Sequence, residues 1–411
     1  VLRTPLPHPL SHKERGEPSG ATSGLPDNAP MSWQRQVLFI GGFDPKSSAH
    51  YHRMYRDAAS QRPTSAAGET VHVSKQRQRD GIYAHWEVHW QQPNQDPMHT
   101  RYTVMGWHDI VLAHWPRHLG RVLHDYWFVY GHAGLDGTFA RVHRAGASAF
   151  WLALFPLLLC IGVLGLGTGL GAWWGHIDDD AALLGALIGF GLSVGLWRWL
   201  AHWLDSEWLL RLYGFTFAQA REQLPELDQR IDAFADHLII AAQAPDLQEL
   251  LLVGHSTGTI LAAQVMARAL EKAPWLGTRG PALSLLTLGH CVPILALQPP
   301  AQRLREQLAA LVDVPQLTWI DYSAPADWAV FAHTPPWLHG QGRTRRLALS
   351  PRFHRVLSPV HYRSLMPWHK RHGLHMQYIK APDLPDGYDP VALTASPLTL
   401  AAQHASHFRA A

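Results

Sequence analysis

Short apolar runs alternate along this chain with longer segments whose apolar positions recur every three or four residues. Leu250, Leu251, Leu252 and Val253 form one such run, suited to a strand buried on both faces. Leu227, Ile231, Phe234, Leu238 and Ile239 mark the apolar face of a helix leading into it. After it, from Thr259 onward, Ile260, Leu261, Ala263, Gln264, Val265, Met266 and Ala267 predict a mostly apolar helix with no breaker. "LSLLTLG" near residues 284–290 and "LTWIDYS" at 317–323 predict further strands, with a helix over "AQRLREQLAALV" between them. Upstream, "RQVLFIGGFDPKSSAHYHRMY" predicts a strand from Val37 to Ile40 that breaks at Gly41-Gly42. A helix follows, capped by Ser47 or Ser48. "ETVHVSKQ", "GIYAHWEVHWQQ" and "HTRYTVMGW" read as strands, with Asp80-Gly81 as a hairpin turn. Strands alternating with helices predict an α/β fold, a mostly parallel sheet covered on both faces.

Two segments break that rhythm. No charged residue occurs from Ala145 to Gly175, and the centre, "FWLALFPLLLCIGVLGLGTGLGAWW", exceeds the roughly 20 apolar residues that cross a bilayer core. "AALLGALIGFGLSVGLWRWLAHWL", residues 181–204, follows after "GHIDDD"; Arg198 near its end can snorkel to the interface. Trp151, Trp173, Trp174, Trp197, Trp199 and Trp203 sit near the ends of both runs, as an aromatic belt would. The competing reading is a buried helical hairpin, but core helices are rarely so long or so free of polar residues. Two transmembrane helices, at about 149–174 and 181–204, are therefore expected. Arg117, Arg121, Arg141 and Arg144 precede the first span, and Arg198, Arg211 and Arg221 end or follow the second. The connecting loop carries only Asp178, Asp179 and Asp180. The positive-inside rule puts both flanks and both termini in the cytoplasm. Such a hairpin returns the chain to its starting side, so residues 31–125 and 205–411 can build one domain around an inserted 126–204.

Composition changes the picture little. Arg plus Lys (35) barely exceeds Asp plus Glu (32), and the basic residues are scattered, which argues against a nucleic-acid partner. Two cysteines imply no disulfide framework and fit a reducing compartment. Residues 1–30 are rich in Pro, Gly and Ser without an apolar core, so they are expected to be disordered rather than a signal peptide. His85, Glu87 and His89 alternate on one strand face. With no further ligand in view they read as a polar surface, and neither a metal nor another cofactor is expected.

The chemistry centres on Gly254-His255-Ser256-Thr257-Gly258, a G-x-S-x-G pattern between the apolar run and the following helix. Strand, sharp turn and helix are what a nucleophile elbow requires. The turn strains the serine, and the flanking glycines let neighbouring backbone approach. His255 projects away from the Ser256 hydroxyl and cannot serve as its base.

With "GHSTG" after a strand, "GGFDP" after an earlier strand, and a later acid and histidine in order, the chain resembles the α/β-hydrolase superfamily, in particular its lipase and esterase branches. The resemblance covers about residues 31–125 and 205–380. It implies a nucleophile, acid and histidine in that chain order. The loop position of Asp327 suits the acid better than Asp321, within its strand, or Asp313, at the wrong edge of the sheet. The alternative for Asp327 is a capping role in a turn. "MPWHKRHGLHMQYIKAP" offers His369, His372 and His375. "HMQYI" resembles the histidine segment of many lipases, favouring His375, with His372 as the alternative base. Thr257 and either Gly42 or Phe43 would supply oxyanion N–H donors; otherwise Gly41-Gly42 is only a tight turn. The implied activity is cleavage of carboxylic, lipid acyl esters at the lipid bilayer. An acyltransferase or thioesterase, or a non-catalytic membrane scaffold with the same fold, are the alternatives.

Overall fold

The computed structural model describes residues 34–410 apart from 64–67, 94–96, 116–117, 178–180, 339, 368–369 and 386. Segment 1–30, Arg117, Asp178, Asp179, Asp180 and His369 lie outside the described residues.

Nine strands are found among the described residues: β1 (Gln34–Ile40), β2 (Thr70–Val73), β3 (Gln78–Asp80), β4 (Tyr83–Gln91), β5 (Met98–Met105), β6 (Leu247–His255), β7 (Ala282–Leu288), β8 (Leu317–Tyr322) and β9 (Arg345–Leu349). They form one sheet in the order β2-β4-β5-β1-β6-β7-β8-β9, with β3 also paired to β4. From β5 to β9 every pairing is parallel; β4 runs antiparallel to β5, β2 and β3. Val37 of β1 lies between Tyr102 of β5 and Leu251 of β6, so sequence from both sides of the apolar insertion shares the centre of one sheet.

The long helices are α1 (Ser48–Gln61), α2 (Ala147–His176), α3 (Ala182–Trp203), α4 (Ser206–Ala220), α5 (Pro225–Ala241), α6 (Gly258–Lys272) and α7 (Gln302–Val312). Pleating sends alternate strand residues to opposite faces. Leu38, Ile40, Leu250, Leu252, Leu285 and Trp319 pack with α4, α5, α6 and α7 on one face. Val37, Phe39, Leu251, Val253, Leu286 and Ile320 pack with α1 and the C-terminal segments on the other. The continuous apolar run in β6 is thus explained: both of its faces are covered.

The hairpin of α2 and α3 is a different kind of structure. Both helices are long and apolar enough to cross a membrane, and only 11 % of the most apolar stretch of each is buried. A buried core hairpin would show the reverse. Their observed limits, 147–176 and 182–203, differ from the expected spans by two residues or fewer at each end.

Three features depart from expectation. β9 was not anticipated, because "RRLAL" lacks a β-branched run; as an edge strand pairing only with β8, it needs less apolar patterning. Residues 108–113 and 119–145 carry a series of short helices that the pattern did not predict. Ser47 occupies the N-cap position of α1, but its hydroxyl accepts no capping hydrogen bond.

Candidate functional site

Ser256 terminates β6 with φ of 58°, in the left-handed region that costs a non-glycine residue about 1–3 kcal/mol. The strain is held from both sides. The Ser256 amide donates to the Leu288 carbonyl of β7 at 3.0 Å, and the Thr259 hydroxyl donates to the Ser256 carbonyl at 2.6 Å. Gly258 opens α6 directly beneath β1. A Cβ there would lie 2.3 Å from the Ile40 carbonyl oxygen and 2.5 Å from that of Gly41. Glycine is therefore a steric requirement of the strand-to-helix turn.

Asp327 and His375 meet beside this turn. Asp327 Oδ2 and His375 Nδ1 are 2.7 Å apart, and both residues are buried. Asp327 lies in the loop after β8, where its other oxygen accepts the Ala329 amide at 3.0 Å. Asp321 stays inside β8, bonded to the Thr287 hydroxyl at 2.7 Å, and burial pushes its carboxyl up to about 7. Asp313 is at the other end of that strand, paired with Arg343 on the surface. His372 is exposed, its ring edge-on to Trp208 with centroids 6.0 Å apart.

His255 has a role that the motif did not disclose. It is buried, and its Nε2 is 3.1 Å from the His375 carbonyl oxygen. Burial, reinforced by the neighbouring His375, lowers its pKa to about 3, so it stays neutral and donates that hydrogen bond. Tyr378 secures the same segment from the far side: its hydroxyl accepts the Ala324 amide at 2.7 Å, joining the histidine segment to the loop that carries Asp327. The tyrosine of "HMQYI" is this structural tie.

The Ser256 hydroxyl makes no hydrogen bond to His375 among the described residues. Its neighbour is the thiol of Cys291, at 3.9 Å, on the loop after β7. Burial raises that thiol to about 12, which keeps it protonated. Nothing in the sequence signalled its position except that it follows a strand.

The Gly41-Gly42-Phe43 turn lies against the serine. A Cβ on Gly42 would be 2.9 Å from Ser256 Cβ and 3.2 Å from its Oγ. The Phe43 amide donates to the Thr257 hydroxyl at 2.7 Å, so it is already committed. The amides of Gly42 and Thr257 have no acceptor among the described residues. Of the two donors the sequence left open in this turn, only Gly42 is free.

Elsewhere, Glu87 is engaged by His99 at 3.0 Å and Arg101 at 3.2 Å, and among the described residues no group of three or more His, Cys, Asp or Glu is placed to hold a metal ion. A cavity of about 180 Å³ is lined by Gln219, Leu224, Asp228, Gln264 and Arg303, none of which belongs to this site. Comparison with protein-family models, curated proteins and solved structures finds no match to the chain.

Proposed function

We propose that the chain is a membrane-anchored serine hydrolase of α/β-hydrolase type that cleaves lipid acyl esters. The observation that carries this reading is the buried Asp327–His375 pair at 2.7 Å, fixed to a strained elbow that presents Ser256. In this mechanism Nε2 of His375 takes the Ser256 proton as Oγ attacks the ester carbonyl. Asp327 holds the tautomer and stabilises the imidazolium. The Gly42 and Thr257 amides receive the oxyanion. His375 then returns the proton to the departing alcohol, leaving an acyl-Ser256 that water hydrolyses. An acyltransferase or thioesterase would share that intermediate and differ in the group that accepts or releases the acyl chain. The missing Ser256–His375 hydrogen bond is compatible with this scheme, since such bonds commonly tighten only when substrate binds.

Membrane anchorage rests on the tryptophans. Trp127, Trp151, Trp199 and Trp203 surround the root of the hairpin and Trp173 and Trp174 its tip, all 58–75 % exposed. The 22 or 23 residues from Trp151 to the tip pair span about 33–35 Å of helix, close to a bilayer core. Leu119, Leu123, Trp127 and Leu135 form an exposed apolar stripe on the preceding helical segment, while Tyr126 and Tyr130 bond that segment to α2 through the Pro156 and Ala153 carbonyls, at 3.0 and 2.8 Å. That segment is suited to lie in the membrane interface. Arg141, Arg144, Arg211 and Arg221 near the root favour a cytoplasmic body.

A lipid substrate is favoured because the hairpin root adjoins the site. The Thr334 hydroxyl, on the Asp327 loop, donates to the Ala145 carbonyl at 2.9 Å, and Phe331 packs against Gly146. Fluorophosphonate labelling and ester turnover in proteoliposomes test the proposal. Ser256→Ala should lose labelling and at least about 10³-fold in kcat while remaining folded. Long-chain esters in the bilayer should be preferred to short soluble ones. Normal turnover without Ser256 rejects the hydrolase; an unlabelled parent protein favours a scaffold.

A further inference from the structure

The Gly42 amide can serve an oxyanion only if its peptide plane is held, and two indoles bracket that turn. Trp107 Nε1–H donates to the Gly41 carbonyl at 3.0 Å. This carbonyl belongs to the same planar trans peptide as the Gly42 N–H, so fixing one fixes the direction of the other. On the other side, Trp208 Nε1–H donates to the Phe43 carbonyl at 3.1 Å. The Phe43 ring is buried against Trp107, Trp115 and Phe215, with centroids 6.1, 5.9 and 5.0 Å away. The two indoles arrive from different places. Trp107 follows β5 in the body. Trp208 sits in the first turn of α4, which begins three residues after α3 ends. Its neighbour Glu207 pairs with Arg198 in the last turns of α3 and, at 3.4 Å, with Arg211 of α4.

We infer that Trp208 is a positioning residue through which the second apolar helix sets the geometry of the oxyanion turn. This rests on Ser256 being the nucleophile. A shift of α3 moves Glu207 through Arg198, and α4 carries Trp208 with it. The Phe43–Asp44 peptide follows, altering the turn that presents the Gly42 amide. Trp107 acts on the same turn from the end of β5; its ring touches Phe215 of α4 at 5.9 Å, but its hydrogen bond does not run through Arg198 and Glu207, which makes it the comparison.

The test is steady-state hydrolysis of a short soluble ester by the full chain in detergent. Trp208→Phe, which removes one donor and keeps a ring beside His372, should lower kcat about tenfold at unchanged KM, less than the roughly 10²–10³-fold cost of deleting an oxyanion donor. Arg198→Gln should lower kcat about threefold in the parent, cause no further loss in Trp208→Phe, and act additively with Trp107→Phe. A parent-like kcat in Trp208→Phe overturns the inference, as does an equal Arg198→Gln effect in both backgrounds. If Trp208→Phe does not fold, Arg198→Gln and Glu207→Gln carry the test: loss of kcat with KM intact supports it, and parent-like kcat in both overturns it. Parent-like turnover by Ser256→Ala instead removes the underlying reading and is read separately.

Discussion

The elbow and the hairpin both bring backbone against backbone at glycine, with nearly the same clearance. A Cβ on Gly258 would lie 2.3 Å from the Ile40 carbonyl oxygen; one on Gly171 would lie 2.2 Å from that of Gly185, and one on Gly185 2.1 Å from that of Gly171. What differs is the freedom of the neighbour to retreat. Ile40 ends β1, which is hydrogen-bonded on both sides within the sheet and pressed between two covered faces. Gly185 belongs to a helix whose outer surface is bare of protein. If the hairpin spans a bilayer, as proposed, lipid can fill a widened gap between its helices, so no hydrophobic penalty opposes separation as it does in a core. Equal clashes therefore carry unequal costs.

The largest effect follows from that asymmetry. Gly258→Ala should destabilise the body by about 3 kcal/mol or more and abolish ester turnover, since neither the strand nor the helix can yield without moving Ser256. Gly171→Ala should leave turnover of a short soluble ester nearly unchanged. Unfolding curves and kcat on the two variants check this. Comparable damage from Gly171→Ala would mean that the hairpin is packed as tightly as the sheet.

The same contrast explains what could be read in advance. The apolar runs located β1, β6, β7 and β8, and the absence of charge located α2 and α3, because in each case burial or apolar surroundings dictate residue type along the whole element. Edge strand β9 and the short helices at 108–145 escaped, since their residues answer to one neighbour or to a boundary rather than to a period. At the candidate site, the G-x-S-x-G pattern pointed to Ser256, loop position favoured Asp327, and the resemblance of "HMQYI" favoured His375 over His372; the structure brings Asp327 and His375 into contact. The contacts of His255, Cys291, Trp107 and Trp208 were not legible. Each is made to a residue at least 35 positions away, and no local pattern encodes it.

Titration separates the regions next. The body buries His255 and His290, each lowered to about 3 mainly by burial, and Asp321, raised to about 7 by burial. Unfolding releases the histidines to about 6.5 and the carboxyl to about 3.9. Between pH 4 and 6.5 the unfolded chain thus binds two more protons on the histidines and the folded chain one more on Asp321. Taken together, these three groups give the unfolded state about one extra proton, so their share of the stability falls by about 1 kcal/mol per pH unit as pH drops below 6.5. Asp321→Asn removes the opposing group and should steepen the slope by about one further proton, on the order of 1 kcal/mol per unit. Denaturant midpoints at pH 6.5, 5.5 and 4.5 give the slopes. An unchanged slope in Asp321→Asn would show that this carboxyl is ionised in the folded body.

The smallest effect is expected on the hairpin's outer face, and it sharpens the comparison most. Gly162 and Gly191 are helical, and a Cβ on either meets nothing within 4 Å. Without a clash to oppose it, replacing glycine by alanine retains only the gain in helix propensity, up to about 1 kcal/mol in water and no more than that if the proposed bilayer already enforces the helix. Gly162→Ala and Gly191→Ala should therefore be neutral or slightly stabilising in SDS-titration unfolding, whereas Gly171→Ala, on the inner face of the same helix as Gly162, should lower the midpoint. Loss of stability in Gly191→Ala equal to that in Gly171→Ala would mean that the outer face is also packed against protein in the membrane, and the freedom to retreat that distinguishes the hairpin from the elbow would be lost.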